Sequence, residues 1–103
     1  MEMYKYILQI LRTQPIVVFS WGFHNPVALP NDKGLKFQVE GFKYQGSVEV
    51  IYIEGKDLFD VALTDIGEKI EDVYLDNLID VIDNLVEKTS NYQRSVEDAY
   101  GLI

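Results

Sequence analysis

The sequence predicts a two-layer α+β domain, a four-stranded antiparallel meander with an N-terminal and a C-terminal helix packed on one face, in the order α-β-β-β-β-α. Three observations carry that prediction. Apolar residues recur at helical spacing near both ends of the chain, and they alternate with period two in the middle. The runs between are short and rich in turn residues, which favours antiparallel neighbours. At 103 residues, 48% hydrophobic and 13% aromatic, the chain has material for one core, and residues 1–103 read as a single domain.

The elements follow in order. Met3, Ile7, Ile10 and Leu11 mark a helix from Glu2 to Thr13, stopped by Pro15. The run "IVVFSWGF", residues 16–23, is β-branched and aromatic on both sides and suits a strand with both faces covered. His24-Asn25-Pro26 and Pro30-Asn31-Asp32-Lys33-Gly34 are turn chemistry. A second strand places Leu35, Phe37 and Val39 on one face and Lys36, Gln38 and Glu40 on the other. Its parity flips at Gly41, because Phe42 and Tyr44 follow, and a bulge at Glu40-Gly41 would absorb the slip. After Gln45-Gly46 comes a third strand, Ser47 to Ile53. After Glu54–Asp57 comes a fourth, Leu58 to Thr64, with Phe59, Val61 and Leu63 inward. Leu75, Leu78, Ile79, Ile82, Leu85 and Val86 form the stripe of a second long helix. Residues 90–103, with Tyr92, Val96 and Tyr100 at helical spacing, read as a third helix or a frayed tail.

Composition narrows the function. With no cysteine, disulfides and thiolate metal sites are ruled out, and no cofactor is expected. The N-terminal stretch lacks the pattern of a signal peptide, and no apolar run approaches the roughly 20 residues that span a bilayer. The expected setting is the cytoplasm. A net charge of −8 argues against direct contact with nucleic acid or anionic lipid. That charge is polarised. Residues 1–56 hold six basic and five acidic residues, whereas residues 57–103 hold three and twelve.

The stretch "FSWGFHNPVALPNDKG", residues 19–34, holds the only tryptophan and the only histidine. Ser20 and His24 have the side chains of a nucleophile and its base. On a strand, however, their Cα atoms would stand about 13 Å apart, and a Ser–His hydrogen bond needs about 3 Å. One histidine without cysteine cannot supply the usual metal ligand set. The preferred reading is structural: Trp21 and Phe23 end a buried strand, Gly22 admits a close approach or bulge, and His24 and Asn25 cap the turn before Pro26. The alternative is a binding loop of Trp21, Phe23, His24 and Asn25, residue types that make hot spots. Exposure of Trp21 decides between the two.

On a helical wheel of the second long helix, with Asp72 at 0°, Asp76, Asp80, Asp83 and Glu87 fall at about 40°, 80°, 20° and 60°. If the helix starts near Tyr74, Asp72 is a capping or pre-helix residue and four acids remain. No Lys or Arg shares that sector. Such a face is either simply solvated or an anionic ribbon that docks on a basic protein, where complementary charge speeds association. Catalysis by these acids is disfavoured, because equally exposed carboxyls lack the contrast in environment that separates an acid from a base. Asp60, between apolar neighbours, is read as the solvent side of an edge strand. The sheet's second face mixes Lys36, Gln38, Glu40 and Glu49 with Ile51 and Ile53, a surface suited to a partner or a second copy.

In size, charge and layout the chain is similar to bacterial immunity proteins and phage-encoded inhibitors. That resemblance covers no motif and carries no residue roles. The expected function is a small acidic, non-enzymatic protein-binding module that docks the acidic helix face on a basic partner in an inhibitor or immunity-like role. Two alternatives stand beside it: a small enzyme or ligand binder with a site near Trp21–Asn25, and a structural homodimer through the open sheet face.

Overall fold

A computed structural model describes residues 2–87, so the reading of residues 90–103 lies outside the described residues. The fold is α+β, with an open five-stranded antiparallel sheet in the order β1-β2-β3-β4-β5. The strands are β1 (His24–Ala28), β2 (Gly34–Glu40), β3 (Gln45–Ile53), β4 (Leu58–Leu63) and β5 (Glu68–Val73). The α-helices are α1 (Met3–Leu11), α2 (Pro15–Ser20) and α3 (Leu78–Val86), with 3-10 turns at Pro30–Asp32 and Leu75–Asn77. The first helix and the three central strands lie where the sequence pattern puts them. The expected four strands become five, and the two helices become three.

The largest correction concerns residues 16–23. Pro15–Ser20 is a helix, not a buried strand. Its ends obey local chemistry: Pro15 occupies the first turn, where its missing N–H costs nothing. Gly22, at φ +69°, takes the left-handed position after the last turn, its N–H donating to the Phe19 carbonyl at 3.0 Å. The β-branched run Ile16-Val17-Val18 lowers helix propensity by only a few tenths of a kcal/mol per residue, and tertiary packing overrides it. Val18 and Trp21 turn inward and are 8% and 0% exposed.

The first strand is instead the stretch read as a turn. β1 pairs with β2 at Val27–Lys36 and Ala28–Leu35, slips once, and resumes at His24–Gln38. Asn25 takes φ 55° within that slip. Pro26 is tolerated because β1 is an edge strand and its nitrogen owes the ladder nothing. The fifth strand, EKIEDV, shows no apolar alternation because five of its six residues are exposed. Its ladder with β4 also slips between Phe59 and Val61, with Asp72 at φ 58°. Both edges are thus bulged and carry a proline or charge, devices that oppose edge-to-edge association. Because β5 covers β4, Asp60 is not on an edge strand: it is 8% exposed, faces Ile51 across the ladder and lies 3.8 Å from the Lys69 ammonium.

Cross-strand pairs stack Leu35 on Val50, Phe37 on Val48 and Val50 on Val61. With Ile7 and Leu11 of α1, Trp21, and Leu78, Ile79, Ile82 and Val86 of α3, they form one buried cluster. No bulge occurs at Glu40-Gly41, since β2 and β3 keep register through Glu40–Gln45, and the parity flips in the connection Gly41–Tyr44. There the Val86 carbonyl accepts from Lys43 N–H at 2.9 Å and from Tyr44 N–H at 3.3 Å, tying the end of α3 to the hairpin. A Cβ at Gly41 would collide with that carbonyl oxygen. Gly41→Ala should therefore cost about 1–3 kcal/mol as overpacking, read as a lower urea midpoint. An unchanged midpoint would mean that the approach is loose. Among the described residues, no helix is long and apolar enough to cross a membrane.

Candidate functional site

The five acids expected on one helix face do not share one. α3 begins only at Leu78, so Asp72 closes β5, where Lys56 Nζ donates to its carboxylate at 3.1 Å. Asp76 lies exposed in the 3-10 turn, and Asp80 lies exposed in the first turn of α3, where the helix dipole favours an anion. Asp83 turns toward the core and accepts the Trp21 Nε1–H at 2.9 Å. Glu87 is 4% exposed and accepts the Phe42 N–H at 3.1 Å. The single face is lost twice over. An ideal helix does not run through the strand and 3-10 turn that hold Asp72 and Asp76, and Asp83 and Glu87, in and just after α3, face other parts of the fold. Asp76 and Asp80 alone remain together, at a cleft of about 310 Å³ with Ile10, Thr13, Gln14 and Ile79.

Burial raises the Glu87 carboxyl above its usual range, the Phe42 N–H opposes this, and Asp83 adds to the rise. The folded state therefore holds the Glu87 proton more tightly than the unfolded chain does. Stability from this group is full at low pH and is lost as pH rises from the unfolded carboxyl value, near 4.3, through the raised folded value. Glu87→Gln should stabilise the protein at pH 7, with the advantage over wild type shrinking to nothing below about pH 4. Thermal unfolding of both proteins from acid to neutral pH checks this, and a constant difference would contradict it.

The stretch around Trp21 divides differently. Trp21 is fully buried, its ring stacked on Phe37 at 6.5 Å and 13°, and its carbonyl accepts the Glu40 N–H at 2.7 Å. A binding loop that uses Trp21 is therefore corrected. The indole is the pin that fastens α2 to β2 and α3. Phe23 is half-buried, 4.7 Å from Phe37. His24 and Asn25 are exposed. The Ser20 hydroxyl donates to the Val17 carbonyl at 2.5 Å, and His24 Nδ1 lies 2.7 Å from the Gly22 carbonyl oxygen, so each is engaged with backbone.

Sequence reasoning missed the residues that α2 turns outward. Ile16 and Phe19, three apart and hence on one side of a helix, are 83% and 76% exposed. Beside them runs a mostly apolar groove of about 240 Å³. Leu8 and Leu11 of α1 with Arg12 just after it form one wall, Phe19 of α2 forms another, and Phe23 and Pro26 complete the lining. Pro15 before and Gly22 after the run are the signals that could have revealed the helix, and with it this surface. On the opposite sheet face, Ile51 and Ile53 are half-buried, and Ile51 borders a hollow of about 460 Å³ with Leu29, Pro30, Lys33 and Glu49.

Compared with protein families, with curated proteins and with solved structures, the chain matches none.

Proposed function

We propose that this protein is a non-enzymatic protein-binding module of the cytoplasm that receives its partner on the groove between α1, α2 and β1. The observation that carries the reading is the exposure of Ile16 and Phe19, 83% and 76%, on one side of α2, where Phe19 lines an apolar groove. Leaving such side chains in water forgoes roughly 1.5–3 kcal/mol each, and contiguous apolar surface of this kind marks an interaction site. The groove's 240 Å³ falls below the roughly 300–1,000 Å³ of small-molecule sites, so it suits side chains of another protein. Ser20 and His24, each held by a backbone carbonyl, lend no support to a site of catalysis. The docking of acids on a basic partner survives in reduced form, on Asp76 and Asp80 at their shared cleft.

Three baits separate these surfaces in affinity capture from the source cell: the wild type, an Ile16→Ser/Phe19→Ser variant and an Asp76→Asn/Asp80→Asn variant. The proposal expects one partner to be held by the wild type and the Asn variant and lost by the Ser variant. Loss with the Asn variant alone would move the site to the acids. A partner kept by both variants would move it to the open sheet face.

A further inference from the structure

We infer that the α1–α2–β1 groove takes an amphipathic helix of another protein whose flanks carry carboxylates, with Arg12 as their counter-charge; this rests on the proposed function. Three observations point to that chemistry. First, the chain holds 17 acidic residues, yet none lies between Glu2 and Asp32, the interval that builds the groove. The charged groups there are Lys5, which pairs with Glu2 at 3.3 Å, and Arg12, so Arg12 is the cation left beside the groove of a protein whose excess of acid lies in residues 57–103.

Second, Arg12 lines the groove and is exposed, and no ion pair among the described residues includes it. Its planar fork suits a carboxylate. Arg12 and Leu8 also border a second hollow along α1, with Lys5 and Gln9. The two hollows meet at Leu8 and Arg12 and form one track, apolar on the α2 side, with Arg12 at its middle and the Lys5–Glu2 pair at its outer end. From Lys5 to Arg12 that track runs about 10 Å along the helix axis, two turns of an occupant.

Third, β1 is a poor template for an added strand, because Pro26 lacks an N–H and the ladder slips at Asn25. A groove bounded by two helices takes a helix, with its apolar face down and anchors at i, i+3, i+4 and i+7. A second copy of this chain fits less well. Closed two-fold packing would set one acid-free surface, and one Arg12, against another.

The test uses the full chain, labelled with ¹⁵N, and two synthetic helical peptides with the same Leu and Phe face. One carries Glu on its flanks and the other Lys. The Glu peptide should give saturable amide shifts confined to residues 8–26 and bind about tenfold more tightly than the Lys peptide, an advantage that shrinks in high salt. Arg12→Glu, a change at an exposed position, should reverse the order of the two peptides. Equal binding by both peptides, binding by neither, or shifts centred elsewhere would overturn the inference. So would concentration-dependent shifts of residues 8–26 without peptide, which would indicate a second copy. If the Ser variant loses its cellular partner while the two peptides bind alike, the proposed function stands and only the charge assignment falls.

Discussion

Trp21→Ala is expected to lower stability by about 3–5 kcal/mol, the cost of emptying a large, fully buried aromatic site. The ring is 0% exposed, so the whole side chain would leave a cavity between α2, α3 and β2. The substitution also removes the N–H that Asp83 accepts, leaving a half-buried carboxylate with one partner fewer, which adds to the loss. For a domain of this size, with total stability of about 5–15 kcal/mol, that is enough to bring α2 close to local melting. Trp21→Phe keeps the contact with Phe37 and loses only the hydrogen bond and part of the volume, so its cost should be smaller. Urea unfolding followed by circular dichroism measures both. A loss under about 1 kcal/mol for the alanine variant would mean that the indole is not the fastening described above.

Ile16→Ser with Phe19→Ser is expected to do the opposite: leave stability within about 0.5 kcal/mol of wild type and abolish partner binding. These side chains touch solvent rather than core, and serine is close to isoleucine and phenylalanine in helix propensity, so the folded state loses little. In a complex they would be anchors, and truncating one such anchor typically costs about 2 kcal/mol or more, roughly thirtyfold in affinity. Two positions from each, Val18 in α2 and Trp21 just after it face the core, and truncating them would destabilise the fold. A variant that binds poorly only because it has unfolded would show itself in the same denaturation curve.

The contrast between these neighbours explains how far the sequence could be read. The central strands were legible because their inner residues, Leu35, Phe37 and Val39, Val48 and Val50, and Phe59, Val61 and Leu63, alternate in sequence with polar or smaller residues, and burial of one face imposes period two. α1 was legible for the same reason at period 3.6. Residues 16–23 were not. A six-residue helix spans fewer than two turns, too few for a 3.6 period to stand out, and a β-branched run then reads as strand. The edges were hidden for another reason: β1 and β5 bury almost nothing, so their pairing leaves no apolar mark on HNPVA or EKIEDV. The acidic face failed at both ends: Asp72 and Asp76 precede α3, and Asp83 and Glu87 turn to Trp21 and the Phe42 N–H instead of solvent. The proposed site accordingly lies in the interval between Glu2 and Asp32, which holds no acid, instead of in the acidic second half.

The most direct measurement places a photo-cross-linking amino acid at position 19, in a second protein at position 80, and in a third at position 53 of the open sheet face. Each protein is irradiated in the cell that makes it. If the groove is the docking surface, position 19 yields one dominant adduct with another protein, and positions 80 and 53 yield none. An adduct from position 80 or 53 with nothing from position 19 would contradict the groove as the binding site.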